Sequence, residues 1–462
     1  MPDASDLIDR ARRTSVVVVG GGVAGLVAAF EFAKVGMSVT VLERSDRWGG
    51  ALAAADLGGI PVDPVVDAFD PDSPALRTLL HELDLSTSVE PVAPAPPRIG
   101  TVTLPAENLL GIPANPWDPA VRRVVGWRGV WRAYLDRLRP PLTIGHQRNL
   151  GALVRGRMGE RVCARMVAPV TRATLGLDPD EVDVERVAPA LLTALTRTGS
   201  LAGAVAELTG RPSPRSRLSG GTHRLPAALV DRLSLLGADL RTERAAQTVR
   251  EADGALVVET DAEDGAEPLT ADIVVVATGP HDALGLLADA ITLPEAPTVS
   301  VDIVLLRTSA AVAGAALDAH TLESGVARRV TGVVPPAAEG SAAGQGTVRV
   351  LSDGDPAATD DERVERAREA VSAVLGMPVA AAEVTASACV RLEWPVVADL
   401  DADAREAGIA AALAATPGLA VVGRWASAGG LAETVAHAVE SADRLRRAAL
   451  WAPQGDRDGS DL

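Results

Sequence analysis

The sequence predicts an α/β protein that opens on a parallel strand–turn–helix–strand unit and continues into a helical insertion and a mixed sheet. Three observations carry this: an apolar run ending in glycines near the start, a helix-forming stretch over 119–210, and strand-like segments that return from residue 238 onward.

Residues 1–14 read as a loose leader. Val16 to Val19 form a continuous apolar run, the pattern of a parallel strand covered on both faces. Gly20, Gly22 and Gly25 then fit G-x-G-x-x-G, with Val23 and Ala24 opening the helix. The first glycine permits the tight turn, the second lets a pyrophosphate reach the backbone, and the third lets helix and strand pack closely. "LVAAFEFAKVG" has helical composition and stops at Gly36, a C-cap signal. Unpaired N–H groups and the positive end of that helix would face a phosphate. "SVTVLE" is the second strand and ends in Glu43, eighteen residues after Gly25. A carboxylate there accepts from ribose hydroxyls and repels a 2′-phosphate, which disfavours NADP. Two other readings compete, a buried apolar hairpin without a ligand and a twin-arginine export signal led by Arg12 and Arg13. Glu31, Lys34 and the lack of an A-x-A-like cleavage site count against export.

"GGIPVDPVVDAFDPDSPALRTLLHELDL" reads as a turn-rich segment leading into a short amphipathic helix. Residues 91–118 are proline-rich and read as irregular, and 119–210 as helices. Strands follow at "ADLRT", "TVRE", "ALVVET" and "ADIVVVATG", and a second strand block runs from "TVSVDIVLL" to "ACVRL" around the charged helix "DDERVERAREAVSAVLG". "GSAAGQG" reads as a surface turn. "GLAVVG" is a strand ending at Gly423, "LAETVAHAVESADRLRRAAL" a long helix, and "WAPQGDRDGSDL" a frayed tail.

A chain of 462 residues has room for two or three domains. Two cysteines make no disulfide framework, which suits a reducing cytoplasm, and six scattered histidines lack metal-ligand spacing. A net charge of −17 argues against nucleic acid as a partner. The charge is uneven: Arg122 to Arg165 holds eleven arginines against Asp136 and Glu160, a local +9. Trp127, Trp131 and Tyr134 fall on one helical face among these arginines. That pattern suits a helix lying on a membrane surface, or a solvated basic face with its tryptophans in the core.

Past Glu43 the chain reads "ERSDRWGG", with Arg44, Arg47, Gly49 and Gly50. This resembles the R-x-G-G extension of FAD-dependent oxidoreductases of the amine oxidase, phytoene desaturase and protoporphyrinogen oxidase group. "LSGGTHRLPAALVDRL", "LPAENLLGIPANP", "NLGALVRGRMGERVCARMVAPVTRATLGLDPDEV" and "PGLAVVGRWASAGGLAETVAHAVESA" are similar, within that group, to stretches of the porphyrinogen oxidases of haem biosynthesis. The matches run in order along nearly the whole chain. Departures occur at "VTRATLGLD", at "GGLAE" where the family has G-[IV]-[GA]-[IV]-P, and in a scarcity of aromatics, with three Phe, one Tyr and seven Trp.

The resemblance implies a Rossmann-like, glutathione-reductase-like FAD domain over 1–60, 215–290 and 415–450. It implies a mixed-sheet substrate domain over 61–100 and 291–414, a basic helical domain over 101–214 and a flexible tail over 451–462. The cofactor residues it implies are Gly20, Gly22, Val23, Ala24, Gly25, Glu43, Arg44, Arg47, Gly49, Gly50, Ala246, Thr278, Gly279, Gly423, Leu431, Ala432 and Val435. Ala246 would pass the adenine, and the helix from Leu431 would aim its positive end at the flavin pyrimidine. Arg172 and Arg98 are the candidate grips on substrate carboxylates. No side-chain nucleophile is expected, because the flavin carries the redox step. The implied activity is oxidation of coproporphyrinogen III or protoporphyrinogen IX by molecular oxygen, in the cytoplasm or against the inner face of the membrane. A flavin amine oxidase, an isoprenoid desaturase and a non-catalytic flavin-fold binding protein remain the alternatives.

Overall fold

The apolar runs of the sequence become a sheet buried on both faces. In the computed structural model, which describes residues 4–66, 68–92, 95–139, 147–210, 215–252, 254–261, 267–308, 317–323, 326–333, 346–427 and 429–451, Ser15–Val19 is the central strand of five. It pairs in parallel with Ser38–Leu42 on one side and Ile273–Val276 on the other. Asp239–Arg241 and Leu419–Val421 complete the edges, also parallel. Alternate residues serve opposite cores: Val16 and Val18 pack toward the first helix, Val17 and Val19 toward Leu256, Val258 and Trp425.

The first helix, Val23–Ala33, is buried along its whole length, lying between the sheet and the closing helix Leu431–Trp451. Gly25 makes that packing possible. A Cβ there would sit 2.0 Å from the Gly20 carbonyl oxygen and 3.2 Å from Val18. The expected leader is instead a helix, Ala4–Arg13, whose Ala11 is 2% exposed. Leu7 and Ala11 join the apolar cluster under the closing helix, and the Arg10 guanidinium donates to the Leu450 carbonyl. An amphipathic segment beside an uncovered apolar helix end is more stable docked than frayed. The frayed tail past Trp451 and the "GSAAGQG" turn lie outside the described residues.

Ala246–Ala252, Ala255–Thr260 and Leu269–Ala271 form a three-stranded antiparallel sheet against the second face of the parallel one. A seven-stranded mixed sheet is built around Thr298–Thr308, which pairs antiparallel with Gly346–Asp353 and Val384–Pro395. The charged helix Asp360–Leu375 covers one face of it and starts in a Thr359/Glu362 capping box. The stretch expected to be irregular is partly ordered. Pro97–Ile99 adds in parallel to Asp318–Glu323, because an extended proline-bearing segment suits a sheet margin.

The helical region has its own core, centred on Val121, Leu150, Met166, Leu191 and Val205. The helix Pro119–Tyr134 is broken at Gly126, whose φ of 70° only glycine adopts readily. Beyond the break, Trp127, Trp131 and Tyr134 gather edge-to-face around Trp117, with centroids 6.4, 4.9 and 5.4 Å from it. They are not core residues: Trp127 is 58% and Trp131 55% exposed. Many arginines of this basic stretch are spent internally. Arg132 donates to carbonyls of residues 155–157, Arg157 faces Asp136 in a buried pair, and Arg148 binds Asp183 and Asp403.

One polar contact ties the helical region to the mixed sheet: Thr174 Oγ1 lies 3.4 Å from Nε2 of buried His320. Burial drives that imidazole from 6.5 to about 4, so it is neutral in the fold. On the unfolded chain it takes a proton in mild acid. Its contribution is complete above its ordinary range and is lost as pH falls through the folded value. The protein is expected to lose up to roughly 3 kcal/mol from this group alone as pH drops across that window. Neighbouring Asp318, held below its ordinary range against burial by Arg329, stays charged there. Urea melts at stepped pH should show a shallower loss for H320Q than for wild type; parallel curves would remove His320 as the cause.

Candidate functional site

The carboxyl ends of the parallel strands bring bare main chain together from four segments. Gly20 follows the central strand and its N–H donates to the Leu42 carbonyl. A Cβ on Gly20 would meet the Ala277 carbonyl oxygen at 2.8 Å. Gly22 pairs with Gly49 as a parallel bridge, and the Gly49 N–H donates to the Gly21 carbonyl at 2.8 Å. A Cβ on Gly50 would lie 3.1 Å from the Gly22 Cα. The two glycine segments, about thirty positions apart in the chain, thus form one surface.

Gly22 caps the first helix without a side-chain hydrogen bond, and no acid stands in that helix's first turn. The N–H groups opening this helix at Val23, Ala24 and Gly25 lack intrahelical acceptors, as at any helix start. Built Cβ atoms on Gly22 and Gly279 meet nothing within 4 Å, so the space above both is open. A concave run of backbone donors at a helix N-terminus, open to one side, fits a diphosphate.

Glu43 ends the second strand as expected, but its carboxylate also orders the loop. Oε2 accepts from the Gly21 N–H at 2.7 Å, and Oε1 from the Ser45 N–H and hydroxyl at 2.9 and 2.8 Å. Trp48 packs so closely that a Cβ on Gly21 would lie 2.4 Å from its ring. Arg44 turns outward to Asp282 at 2.9 Å, and Arg47 is exposed. Ala246 begins its strand half-buried beneath the sheet end. Thr278 and Gly279 follow Ile273–Val276, and the Thr278 carbonyl accepts from the Trp425 indole at 2.9 Å.

Gly423, with φ 134°, turns the chain out of the last parallel strand toward the closing helix. That helix begins at Leu431 as predicted. Leu431, Ala432 and Val435 are buried in the core, so their side chains hold the helix in place and the first-turn backbone is what remains to meet a ligand. Glu433, in the first turn of that helix, folds back: it is exposed, and its carboxylate accepts from the Gly430 N–H at 2.9 Å. A negative charge therefore sits at the positive end of this helix.

The two arginines expected to grip a substrate stand on separate elements, a helix packed on the mixed sheet and a strand toward one margin of that sheet. Arg172 belongs to the helix Ala168–Leu175 and is paired with Asp178. Arg98 lies on Pro97–Ile99 opposite Ala319 and donates to the Thr101 carbonyl at 3.3 Å. Arg172, Thr174, Val299, Ser300, Asp353 and Trp394 line a cleft between that helix and the mixed sheet. His223 is a structural hydrogen-bonder: its ring and its backbone N–H both meet Asp63. Cys163 is buried, and burial pushes its thiol up to about 11, so it is no nucleophile at neutral pH. The described residues hold no cluster of His, Cys, Asp and Glu suited to a metal.

The model of the family described as flavin containing amine oxidoreductase matches residues 23–446. The chain belongs to this family. FAD is its cofactor, and the protein is a flavin-dependent oxidoreductase. Coproporphyrinogen III oxidase of Propionibacterium freudenreichii is 31% identical over 197 residues, 41% of this chain and 36% of that one, so the match spans little more than a third of that relative. Among solved structures, one named "Putative protoporphyrinogen oxidase" from Exiguobacterium sp. superimposes with a TM-score of 0.79 at 20% identity, covering 94% of this chain and 99% of that one. Cyclohexylamine oxidase from Brevibacterium oxydans does so at 0.61 and 17%, covering 94% and 99%. Both share the Rossmann-like flavin fold with its mixed sheet.

Trp48, Trp394 and Arg424 escaped the sequence reading. Trp48 stands inside the R-x-G-G quotation and Arg424 directly after Gly423, so proximity to a glycine motif was the available signal. Removing the Glu43 charge tests the cradle. E43Q is expected to bind FAD roughly tenfold more weakly, since a charge-assisted acceptor is replaced by a neutral one. A fluorescence titration of apoprotein with FAD reads this, and unchanged affinity would leave Glu43 a loop-ordering residue only.

Proposed function

We propose that this flavoenzyme oxidises a porphyrinogen to a porphyrin in haem biosynthesis, with molecular oxygen as final acceptor. The observation that carries the reading is the 31% likeness to a coproporphyrinogen III oxidase. Two features of the cleft support it. Arg172 lines it and Arg98 lies on a nearby strand of the same sheet, a supply of guanidinium for rim carboxylates. Trp394 is the only aromatic among the lining residues, which is poor provision for an aromatic cage around an amine.

Bound FAD supplies the acceptor for the substrate's electrons. The chain's part is to hold and orient. The glycine surface at 20–25 and 49–50 and the first-turn backbone of the closing helix hold the cofactor, while Glu43 fixes the loop between them. Arg98 and Arg172 orient the substrate, and Arg172 must exchange Asp178 for the substrate's carboxylate.

Mixing the oxidised holoenzyme anaerobically with coproporphyrinogen III, protoporphyrinogen IX and a panel of amines decides the substrate. Bleaching of the flavin band by a porphyrinogen and not by amines is expected; bleaching by amines alone would transfer the protein to the amine oxidase reading, which the fold also fits.

The same reading puts the basic helical surface against anionic lipid. Among the described residues no helix is long and apolar enough to cross a membrane. Exposed Trp127, Trp131, Leu135 and Leu138 stand beside Arg122, stacked on Trp127 at 4.6 Å, and Arg128 and Arg137. Aromatic rings ringed by guanidinium suit a headgroup layer. Co-sedimentation with phosphatidylglycerol vesicles should fall severalfold for W127A/W131A and with added salt; equal pelleting with neutral phosphatidylcholine vesicles would speak against it.

A further inference from the structure

Arg424 has no counter-charge among the described residues. It leaves the last parallel strand just after Gly423, on a turn pinned by the Trp425–Thr278 hydrogen bond. Its guanidinium lies over the Trp394 ring, 4.1 Å from the centroid. Among the described residues no carboxylate pairs with it, and its buried Nε has no hydrogen-bond partner. Other arginines are matched: Arg172 by Asp178, Arg391 by Asp302 and Arg405 by Asp399. Burial alone lowers the Arg424 guanidinium to about 10, so it keeps its charge at neutral pH.

A half-buried, unpaired guanidinium destabilises a fold unless something compensates for its lost hydration. The stack on Trp394 compensates in part. It also fixes the plane of the guanidinium, which prepares the N–H edge for the two oxygens of a carboxylate. Trp394 joins this arginine to the cleft, which it lines together with Arg172. The cleft is open to solvent and holds about 30 Å³ of its own, room for a small polar group such as a carboxylate.

We infer that Arg424, braced on Trp394, binds one carboxylate of the substrate and biases the enzyme toward acidic substrates over amines. The inference rests on the reading that this cleft receives a carboxylate-bearing substrate. An ammonium ion brought to the same place would meet an uncompensated positive charge, whereas a carboxylate relieves it.

The test uses the FAD-loaded protein as wild type, R424M and R424K, titrated with coproporphyrin III, benzoate and benzylamine and followed by flavin absorbance and tryptophan quenching. R424M is expected to keep its flavin, to bind coproporphyrin III and benzoate roughly tenfold more weakly, and to bind benzylamine no worse. R424K should fall between the two, holding the charge without the fixed plane. Equal affinity of wild type and R424M for both anions overturns the inference. So does loss of FAD by both variants in a folded protein, which would make Arg424 a cofactor residue. If R424M is misfolded, R424Q carries the same comparison. A wild type that ignores coproporphyrin III yet holds benzoate through Arg424 would retain the anion site and remove the porphyrinogen reading.

Discussion

The rest of the structure depends on the contact of a helix with the backbone it has just left. Three residues separate the first helix from the central strand, so it must turn back across it at once. It can do so because Gly25 presents no Cβ to the Gly20 carbonyl, where one would sit 2.0 Å away. That approach seats the helix against the sheet, and the closing helix packs on its outer side. It also leaves the first-turn N–H groups facing open space. Packing and anion binding are therefore two results of one close approach.

The charge distribution turns on a similar economy of position. The sequence shows eleven arginines in one stretch, and it is tempting to give all of them to a ligand or a surface. The structure uses most of them to satisfy helix ends and acids: carbonyls at 155–157, Asp136, Asp180, Asp183 and Asp403. A half-buried guanidinium with no carboxylate partner among the described residues lies elsewhere, at position 424, in a stretch whose composition is unremarked. Pairing in three dimensions, which composition does not record, separates an arginine available to a ligand from one already bound.

The parallel sheet, its glycine turn and the closing helix were legible because each depends on local pattern: a valine run, glycine spacing, an uninterrupted helical segment. Other features depend on tertiary context. Ala4–Arg13 is helical because an apolar surface waits near the far end of the chain, at Leu450. Pro97–Ile99 is a strand because Asp318–Glu323 offers it an edge. The helix expected to display Trp127, Trp131 and Tyr134 on one face does so only past the break at Gly126, and Trp117, from outside it, completes their cluster. In the region proposed to hold the cofactor, the swing of Glu433 onto the Gly430 N–H was not legible, since a side chain's choice of partner is not periodic.

The five parallel strands come from residues 15–42, 239–276 and 419–421, so the sheet is stitched from the beginning, middle and end of the chain. The central strand pairs with a neighbour, Ile273–Val276, and shares its sheet with an edge strand, Leu419–Val421, both of which lie far downstream of it in the sequence. Ser15–Val19 can pair early with Ser38–Leu42 alone, and its other side waits for the distant strand. Such long sequence separation slows folding and leaves that valine-rich edge open to wrong partners in the meantime.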